Sequence, residues 1–175
     1  GSNSKNLTGT LFESFVGGAG NDFIAGSPTA AAGGIFATDF DRADYANDPS
    51  RIIATLATGT VRDGWGGVDT LRDINLIRGS AFADQIYGSD TSGTAQDFQA
   101  FEGMAGDDVI DGQGGLDRAD YRFSPGAVNV NLATGVAQDG WGTVDSLAGI
   151  EWVQGSDFAD TLTGGAGNDW LTGMA

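Results

Sequence analysis

The sequence predicts an all-β solenoid built from short glycine-rich repeats and arranged as two copies of a larger unit. The chain has 175 residues, and 30 of them are Gly and 21 are Asp. Residues 41–88 align without a gap on residues 117–164, at an offset of 76, with 24 identities over 48 positions. A nine-residue pattern recurs within and around these copies. Self-similarity at a fixed period is the signature of solenoids and repeat arrays, so the chain is expected to stack strands along an axis.

The composition excludes several classes of function. Lys and Arg number 8 and Asp and Glu 24, which gives a net charge of −16. Nucleic acid and anionic membranes are therefore poor partners, because both attract clustered basic residues. The chain has no His and no Cys, which excludes zinc fingers, Cys or His nucleophiles, haem–His sites and disulfides. No apolar run approaches the ~20 residues that span a bilayer, so membrane insertion is not expected.

The chain is expected to be one domain taken from a longer polypeptide. Residues 1–6, beginning with the tag-like Gly1-Ser2, are assigned to a flexible N-terminus without signal-peptide character. Residues 7–173 are assigned to a single domain, with units at about 12–88 and 98–173.

The nonapeptide reads G-G-x-G-x-D-x-U-x, where U is a large apolar residue. Six glycine-rich residues favour a tight turn, because Gly accepts a positive φ and lets carbonyls converge, and the last three favour a short strand. Full copies occupy 17–25, 103–111 and 164–172, looser ones 112–120 and 155–163, and degenerate ones 64–72, 79–87 and 140–148. The expected core residues are Phe23, Ile24, Val109, Ile110, Leu162 and Leu171.

The repeats resemble the RTX (repeats-in-toxin, hemolysin-type) calcium-binding proteins that Gram-negative bacteria export by type I secretion. The resemblance covers about residues 12–173. It implies a right-handed parallel β-roll or β-helix in which Asp carboxylates and turn carbonyls bind several Ca²⁺ ions. Oxygen ligands of this kind suit calcium, which takes six to eight of them. The stretches 26–35 and 88–102 interrupt the repeat, and residues 121–139 lack a glycine-rich turn, which predicts a wider, irregular parallel coil there.

Two kinds of residue are candidate calcium ligands, namely the sixth-position aspartates and the glycines whose carbonyls face them. The candidate aspartates are Asp22, Asp41, Asp69, Asp84, Asp108, Asp117, Asp145, Asp160 and Asp169. The candidate glycines are Gly18, Gly20, Gly106, Gly165 and Gly167. The alternative for each Asp is a cap on its own turn. Ser80 and Ser156 replace the second glycine, so their turns are candidates for metal-free closure. Asp44 and Asp120, in the duplicated Asp-Arg-Ala-Asp-Tyr, are expected to form ion pairs with Arg.

The leading interpretation is a non-enzymatic calcium-binding domain of a larger secreted bacterial protein. Calcium outside the cell would fold it after type I export, and its partners would be calcium and the rest of the parent polypeptide. Two alternatives stay open, a structural extender of an adhesin or surface-layer protein and a calcium-dependent binder of polysaccharide. End-to-end self-association also stays open, because solenoids need capped ends.

Overall fold

A computed structural model describes residues 12–26, 40–90 and 98–174. Within these residues every regular element is a β-strand. In chain order the strands are β1 (Phe12–Phe15), β2 (Phe23–Ala25), β3 (Phe40–Asp44), β4 (Ile53–Thr55), β5 (Thr60–Arg62), β6 (Val68–Arg72), β7 (Leu76–Arg78), β8 (Gln85–Tyr87), β9 (Phe98–Glu102), β10 (Val109–Asp111), β11 (Leu116–Asp120), β12 (Asn129–Asn131), β13 (Val136–Gln138), β14 (Val144–Ala148), β15 (Trp152–Gln154), β16 (Thr161–Thr163) and β17 (Trp170–Thr172).

The strands form two sheets, and the chain alternates between them. Sheet A has seven strands in the order β1-β3-β7-β9-β11-β15-β17, which is also chain order, and all its pairs are parallel. Sheet B has ten strands in the order β16-β12-β13-β14-β10-β8-β4-β5-β6-β2. The all-β class and the parallel pairing of successive coils are confirmed, and both are consistent with a β-roll.

Sheet B differs from the prediction in one respect. Residues 121–139, expected to form a wide parallel coil, contain instead the first two strands of an antiparallel meander, β12-β13-β14, and the first unit has the same meander, β4-β5-β6. The chain reverses at Gly59 and Gly135, whose φ angles are 62° and 66°. Glycine adopts such a positive φ without steric strain. The first strand of each meander pairs with the following coil and the last with the preceding one. The coils therefore stay continuous through the insertion.

The duplicated sequence folds twice into the same six strands. Each strand from β3 to β8 recurs 76 residues later, with the same length, as β11 to β16. The internal repeat is thus a repeat of structure, with one meander in each copy.

The core lies between the two sheets, and each strand from β2 to β15 contributes one buried apolar residue to it. Ile24 and Ile110, the central residues of β2 and β10, are buried, whereas the preceding Phe23 and Val109 are exposed. The expectation that Phe23 and Val109 join the core was wrong, because alternate residues of a strand point to opposite faces and three residues supply only one inward position. Leu171 is also exposed, since β17 ends sheet A, while Leu162 is half-buried and packs on the core.

Several sequence-based assignments lie outside the described residues. These are the N-terminal residues 1–6, residues 27–35 of the first interruption and residues 91–97 of the second. In the part of the chain that the structure describes, there is no helix long and apolar enough to cross a membrane.

Candidate metal centres

The turns between the two sheets gather the acidic residues at two edges of the molecule. At the first edge the chain leaves sheet A for sheet B, and at the second edge it returns. Because the strands of sheet A are parallel, every turn of one kind lies at the same edge. The β5–β6 and β13–β14 hairpin turns also lie at the first edge, because β6 and β14 run in the same direction as the coil strands β2 and β10 that they contact.

Three buried aspartates stack at the first edge, and we call Asp84, Asp108 and Asp145 the aspartate ladder. The backbone N–H of Asp84 donates to Oδ1 of Asp108 at 2.7 Å, and the N–H of Asp108 donates to Oδ1 of Asp145 at 3.2 Å. The N–H of Ile52 donates to Oδ1 of Asp84 at 2.8 Å. Each side chain is at most 1 % exposed. Parallel stacking of the repeats therefore places like charges directly above one another, away from water.

The ladder carries negative charge that lacks a protein cation among the described residues. Burial raises the pKa of Asp84 to about 6, of Asp145 to about 7 and of Asp108 to about 9, and the neighbouring carboxylates add to the effect. Oδ2 of Asp108 is buried without a hydrogen-bond partner, whereas Oδ2 of Asp145 accepts the hydroxyl of Tyr121 at 2.9 Å. A bound cation at Asp108 would compensate this charge, so the ladder fits a metal.

A second acidic group lies at the first edge in the first unit. The N–H of Asp22 donates to Oδ1 of Asp69 at 2.8 Å, and the hydroxyl of Tyr45 donates to Oδ2 of Asp69 at 3.2 Å. A Cβ at Gly17 would lie 3.0 Å from Oδ2 of Asp69 and 3.2 Å from Oδ2 of Asp22, so the glycine leaves the two carboxylates close together. Burial is the main cause that raises the pKa of Asp69.

Asp63 belongs to the same group and was missed by the sequence reasoning. It is 3 % exposed, and its Oδ2 is buried without a hydrogen-bond partner. A Cβ at Gly67 would collide with the carbonyl oxygen of Gly20 and lie 2.8 Å from that Oδ2. The signal that could have found Asp63 is the duplicated Asp-Gly-Trp-Gly at 63–66 and 139–142. In the second unit Asp139 differs, because the hydroxyl of Thr143 donates to its Oδ2.

Two candidate aspartates are held by serine. Ser80 donates its backbone N–H to Oδ2 of Asp84 at 2.6 Å and its hydroxyl to Oδ1 at 2.7 Å. Ser156 makes the same two bonds to Asp160, at 2.7 and 2.6 Å. Serine therefore supplies two hydrogen-bond donors to each of these carboxylates, and whether the two turns are free of metal stays a prediction. Asp160 also accepts the N–H of Val128 at 2.9 Å, which continues the stacking into the last coil.

A column of side chains that carry oxygen atoms lines the second edge. For each strand of sheet A the residue of this column comes two positions before the next inward-facing residue. The strand register places seven residues in this column: Glu13, Asp41, Asn75, Gln99, Asp117, Glu151 and Asp169. Asp41 donates its N–H to Oδ1 of Asn75 at 2.9 Å, and Asp117 donates its N–H to Oε2 of Glu151 at 3.1 Å. Burial, then Glu151 and Asp111, raises the pKa of Asp117 to about 8.

The candidate glycines divide into two groups. Gly18, Gly20 and Gly106 have φ angles of 77°, 122° and 124°, in the region that favours glycine. Gly165 donates its N–H to Oδ2 of Asp169 at 2.8 Å, and both Gly165 and Gly167 are exposed to solvent. The last turn therefore lies open at the end of the stack.

The Arg residues of the duplicated motif are engaged elsewhere, as predicted. Arg42 pairs with Asp44 at 3.1 Å and Arg118 with Asp120 at 3.0 Å. Among the described residues no group of three Asp or Glu side chains forms a ready-made metal site. Backbone carbonyls would therefore have to complete any coordination shell, which is how calcium is often held.

Comparison with known families agrees with this geometry. The pattern of the RTX calcium-binding nonapeptide repeat matches four stretches, residues 8–28, 69–91, 100–120 and 145–175, which together make up more than half of the chain. A search of curated proteins found no significant match. RTX nonapeptide repeats bind several calcium ions per domain. The four matched stretches contain all three residues of the aspartate ladder and Asp117, and on this basis the chain belongs to the RTX calcium-binding repeat family.

Proposed function

We propose that this domain is a calcium-dependent folding module of a larger exported protein, and that it has a structural role. The observation that carries the proposal is the aspartate ladder, in which three carboxylates are stacked and buried without a protein cation among the described residues. The proposed ligands are the candidate aspartates at both edges together with turn carbonyls. Asp84 and Asp160 are the least dependent on metal, because serine already donates to them.

The arrangement makes folding depend on a cation. Without one, burial of Asp108 between Asp84 and Asp145 opposes folding, because each charge loses water and gains a like-charged neighbour. The strands are only three to five residues long and cannot offset their chain entropy alone. Bound calcium supplies the missing positive charge. A ligand that binds only the folded state stabilises it by mass action.

Export before folding follows from the affinity expected of such sites. Extracellular calcium modules bind with a Kd of about 10⁻⁴ to 10⁻³ M. Cytosolic calcium would then leave the chain unfolded and ready for type I export, and external calcium would fold it. RTX repeat proteins are typically secreted, which supports this proposal for the parent protein.

A second candidate function, binding of an acidic polysaccharide, is favoured by the outward face of sheet A. Phe40, Phe98, Trp152 and Trp170 form a row with ring centroids 5.3 to 5.6 Å apart, and the guanidinium of Arg118 lies over two of these rings. Aromatic rings beside Arg suit an anionic sugar. The proposal ranks below calcium-dependent folding, because the rings of this row pack mainly on one another.

Far-UV circular dichroism during a calcium titration tests the main proposal, with equal magnesium as the control. We expect the β signal to rise at sub-millimolar to millimolar calcium and not with magnesium. Asp108→Asn should raise the calcium concentration at the midpoint, because the amide oxygen still accepts the N–H of Asp84 but the charge is lost. A spectrum already folded in chelator and unchanged by calcium would overturn the proposal.

A binding assay against an acidic polysaccharide separates the second candidate from the first. Calcium-dependent retention that Trp170→Ala abolishes would support sugar binding, since this ring is half exposed at the end of the row. Folding that responds to calcium without any retention would leave a structural module, such as an extender.

A further inference from the structure

Asp117 is the most completely isolated carboxylate at the second edge. Its side chain is fully buried, and neither of its carboxylate oxygens has a hydrogen-bond partner. The ion pairs seen between the described residues engage other carboxylates, namely those of Asp44, Asp73, Glu102 and Asp120. An ionised carboxylate in this position is stable only if another group compensates its charge.

Two further oxygen donors converge on Asp117 from the neighbouring coil. Glu151 stands opposite Asp117 in the register, and its Oε2 accepts the N–H of Asp117 at 3.1 Å. Gly149, with a φ of 57°, turns its carbonyl toward Gly112. A Cβ at Gly112 would collide with that carbonyl oxygen and lie 2.7 Å from Cγ of Asp117. The absence of a side chain at Gly112 thus lets the carbonyl of Gly149 and the carboxyl group of Asp117 approach each other closely.

We propose that Asp117, Glu151 and the carbonyl of Gly149 bind one calcium ion at the second edge. The inference rests on the proposed function and adds a ligand from outside the nonapeptides, because Glu151 belongs to the connecting coil between them. Two carboxylates and a carbonyl are hard oxygen donors of the type that calcium takes. The ion would tie a repeat coil to the connecting coil of the same unit.

The first unit contains the same arrangement with one charge fewer. Asp41 occupies the position of Asp117, and Asn75, which accepts the N–H of Asp41, occupies that of Glu151. A Cβ at Gly26 would collide with the carbonyl oxygen of Asp73, as one at Gly112 would with that of Gly149. Because ligand charge sets calcium affinity, the site of the second unit is expected to bind more tightly than its counterpart.

The variant Glu151→Gln tests the site through two measurements, the Tm without calcium and the rise in Tm that calcium causes. The amide oxygen can still accept the N–H of Asp117, so the fold keeps its hydrogen bond while the charge is lost. Without calcium, in sucrose added to favour the folded state, we expect the Tm to be unchanged or higher, because repulsion between the two carboxylates is gone. With calcium we expect a smaller rise in Tm, and isothermal calorimetry should show one site lost or weakened at least tenfold. Asp117→Asn should behave in the same way.

Two further variants complete the experiment. Asn75→Asp adds the missing charge to the first unit and should lower the Tm in chelator while enlarging the rise with calcium. Glu102→Gln is the matched control, because Glu102 is a buried carboxylate that Arg78 already pairs with at 3.2 Å. It should lower the Tm by a similar amount with and without calcium.

The outcomes separate this inference from the proposed function. If the wild-type domain responds to calcium and Glu151→Gln keeps its affinity, stoichiometry and rise in Tm, the site is overturned and the proposed function stands. If the wild-type domain itself does not respond to calcium, both fail. A loss of calcium binding confined to Glu151→Gln and Asp117→Asn, and absent from Glu102→Gln, supports the site.

Discussion

Serine replaces glycine at residues 80 and 156, and at each turn it donates two hydrogen bonds to the carboxylate of the following Asp. The backbone N–H and the hydroxyl of Ser80 both reach the carboxylate of Asp84, and Ser156 repeats the pair at Asp160. The two turns differ in burial, since Asp84 is 1 % exposed and Asp160 is only half-buried. Under the proposed function, we expect these two turns to depend on metal less than the turns that have glycine at this position.

Ser80→Ala should destabilise the domain by about 1–3 kcal/mol, because it leaves a buried carboxylate oxygen with one donor fewer. Ser156→Ala should cost less, since water can replace the donor at Asp160. Urea unfolding, with calcium and in calcium-free buffer that contains sucrose to favour the folded state, would measure both losses, and we expect each to be the same under the two conditions. A Ser80→Ala protein with normal stability in chelator but altered calcium affinity would show instead that this turn binds metal.

At the scale of elements, the antiparallel meander is the feature that distinguishes this domain from a plain parallel coil. The turn of its first hairpin ends at Gly59 or Gly135. The carbonyl oxygens of these glycines accept the N–H groups of Leu71 and Leu147 at 2.7 and 2.8 Å. Its second hairpin brings Asp69 or Asp145 to the first edge. The meander therefore adds one aspartate in each unit to the aspartates that the coil turns place at the first edge.

Gly59→Ala and Gly135→Ala should each destabilise the domain by about 1–3 kcal/mol, the cost of a non-glycine residue at a positive φ. An added Cβ would also lie 2.5 Å from the carbonyl oxygen of Leu71 or Leu147. Gly173→Ala is the control, because a Cβ there meets nothing within 4 Å and its φ is not positive. Thermal unfolding in calcium would compare the three, and equal Tm values would mean that the hairpins tolerate the substitution.

At the scale of the whole molecule, the buried aspartates make stability depend on pH and on calcium together. Burial raises the pKa of Asp84, Asp145, Asp117 and Asp108 to between about 6 and about 9, against an ordinary 3.8. The folded chain therefore holds more protons than the unfolded chain between about pH 4 and pH 9. A raised carboxyl pKa contributes stability that is present at low pH and is lost as the pH rises through the folded value.

In calcium-free buffer that contains sucrose to favour the folded state, we therefore expect the free energy of unfolding to fall between pH 5 and pH 9, by at least about 1 kcal/mol. Millimolar calcium should flatten this dependence, because the bound ion then compensates the charge that a proton compensates at low pH. Urea unfolding at pH 5, 7 and 9, with and without calcium, checks both statements. A stability that rises with pH in the absence of calcium would contradict the assignment of these aspartates as buried and uncompensated.

The sequence by itself determined the all-β class, the parallel stacking of the glycine-rich coils, the duplication at an offset of 76 and the calcium-binding family. These properties are local or periodic, because glycine position, the sixth-position Asp and a three-residue strand recur within nine residues. The ion pairs of Asp44 and Asp120 were also predictable, since Arg lies two residues before each.

Only the tertiary structure decided which aspartates meet and what surrounds them. The reversal of β13 depends on pairing between strands, so the sequence pattern alone suggested a parallel coil at residues 121–139. Asp63 and Glu151 lie outside the aspartate pattern, and their nearness to Gly67 and to Asp117 follows from stacking of turns that are distant along the chain. Charge compensation is a property of that stacking, because it depends on which side chains share a buried space.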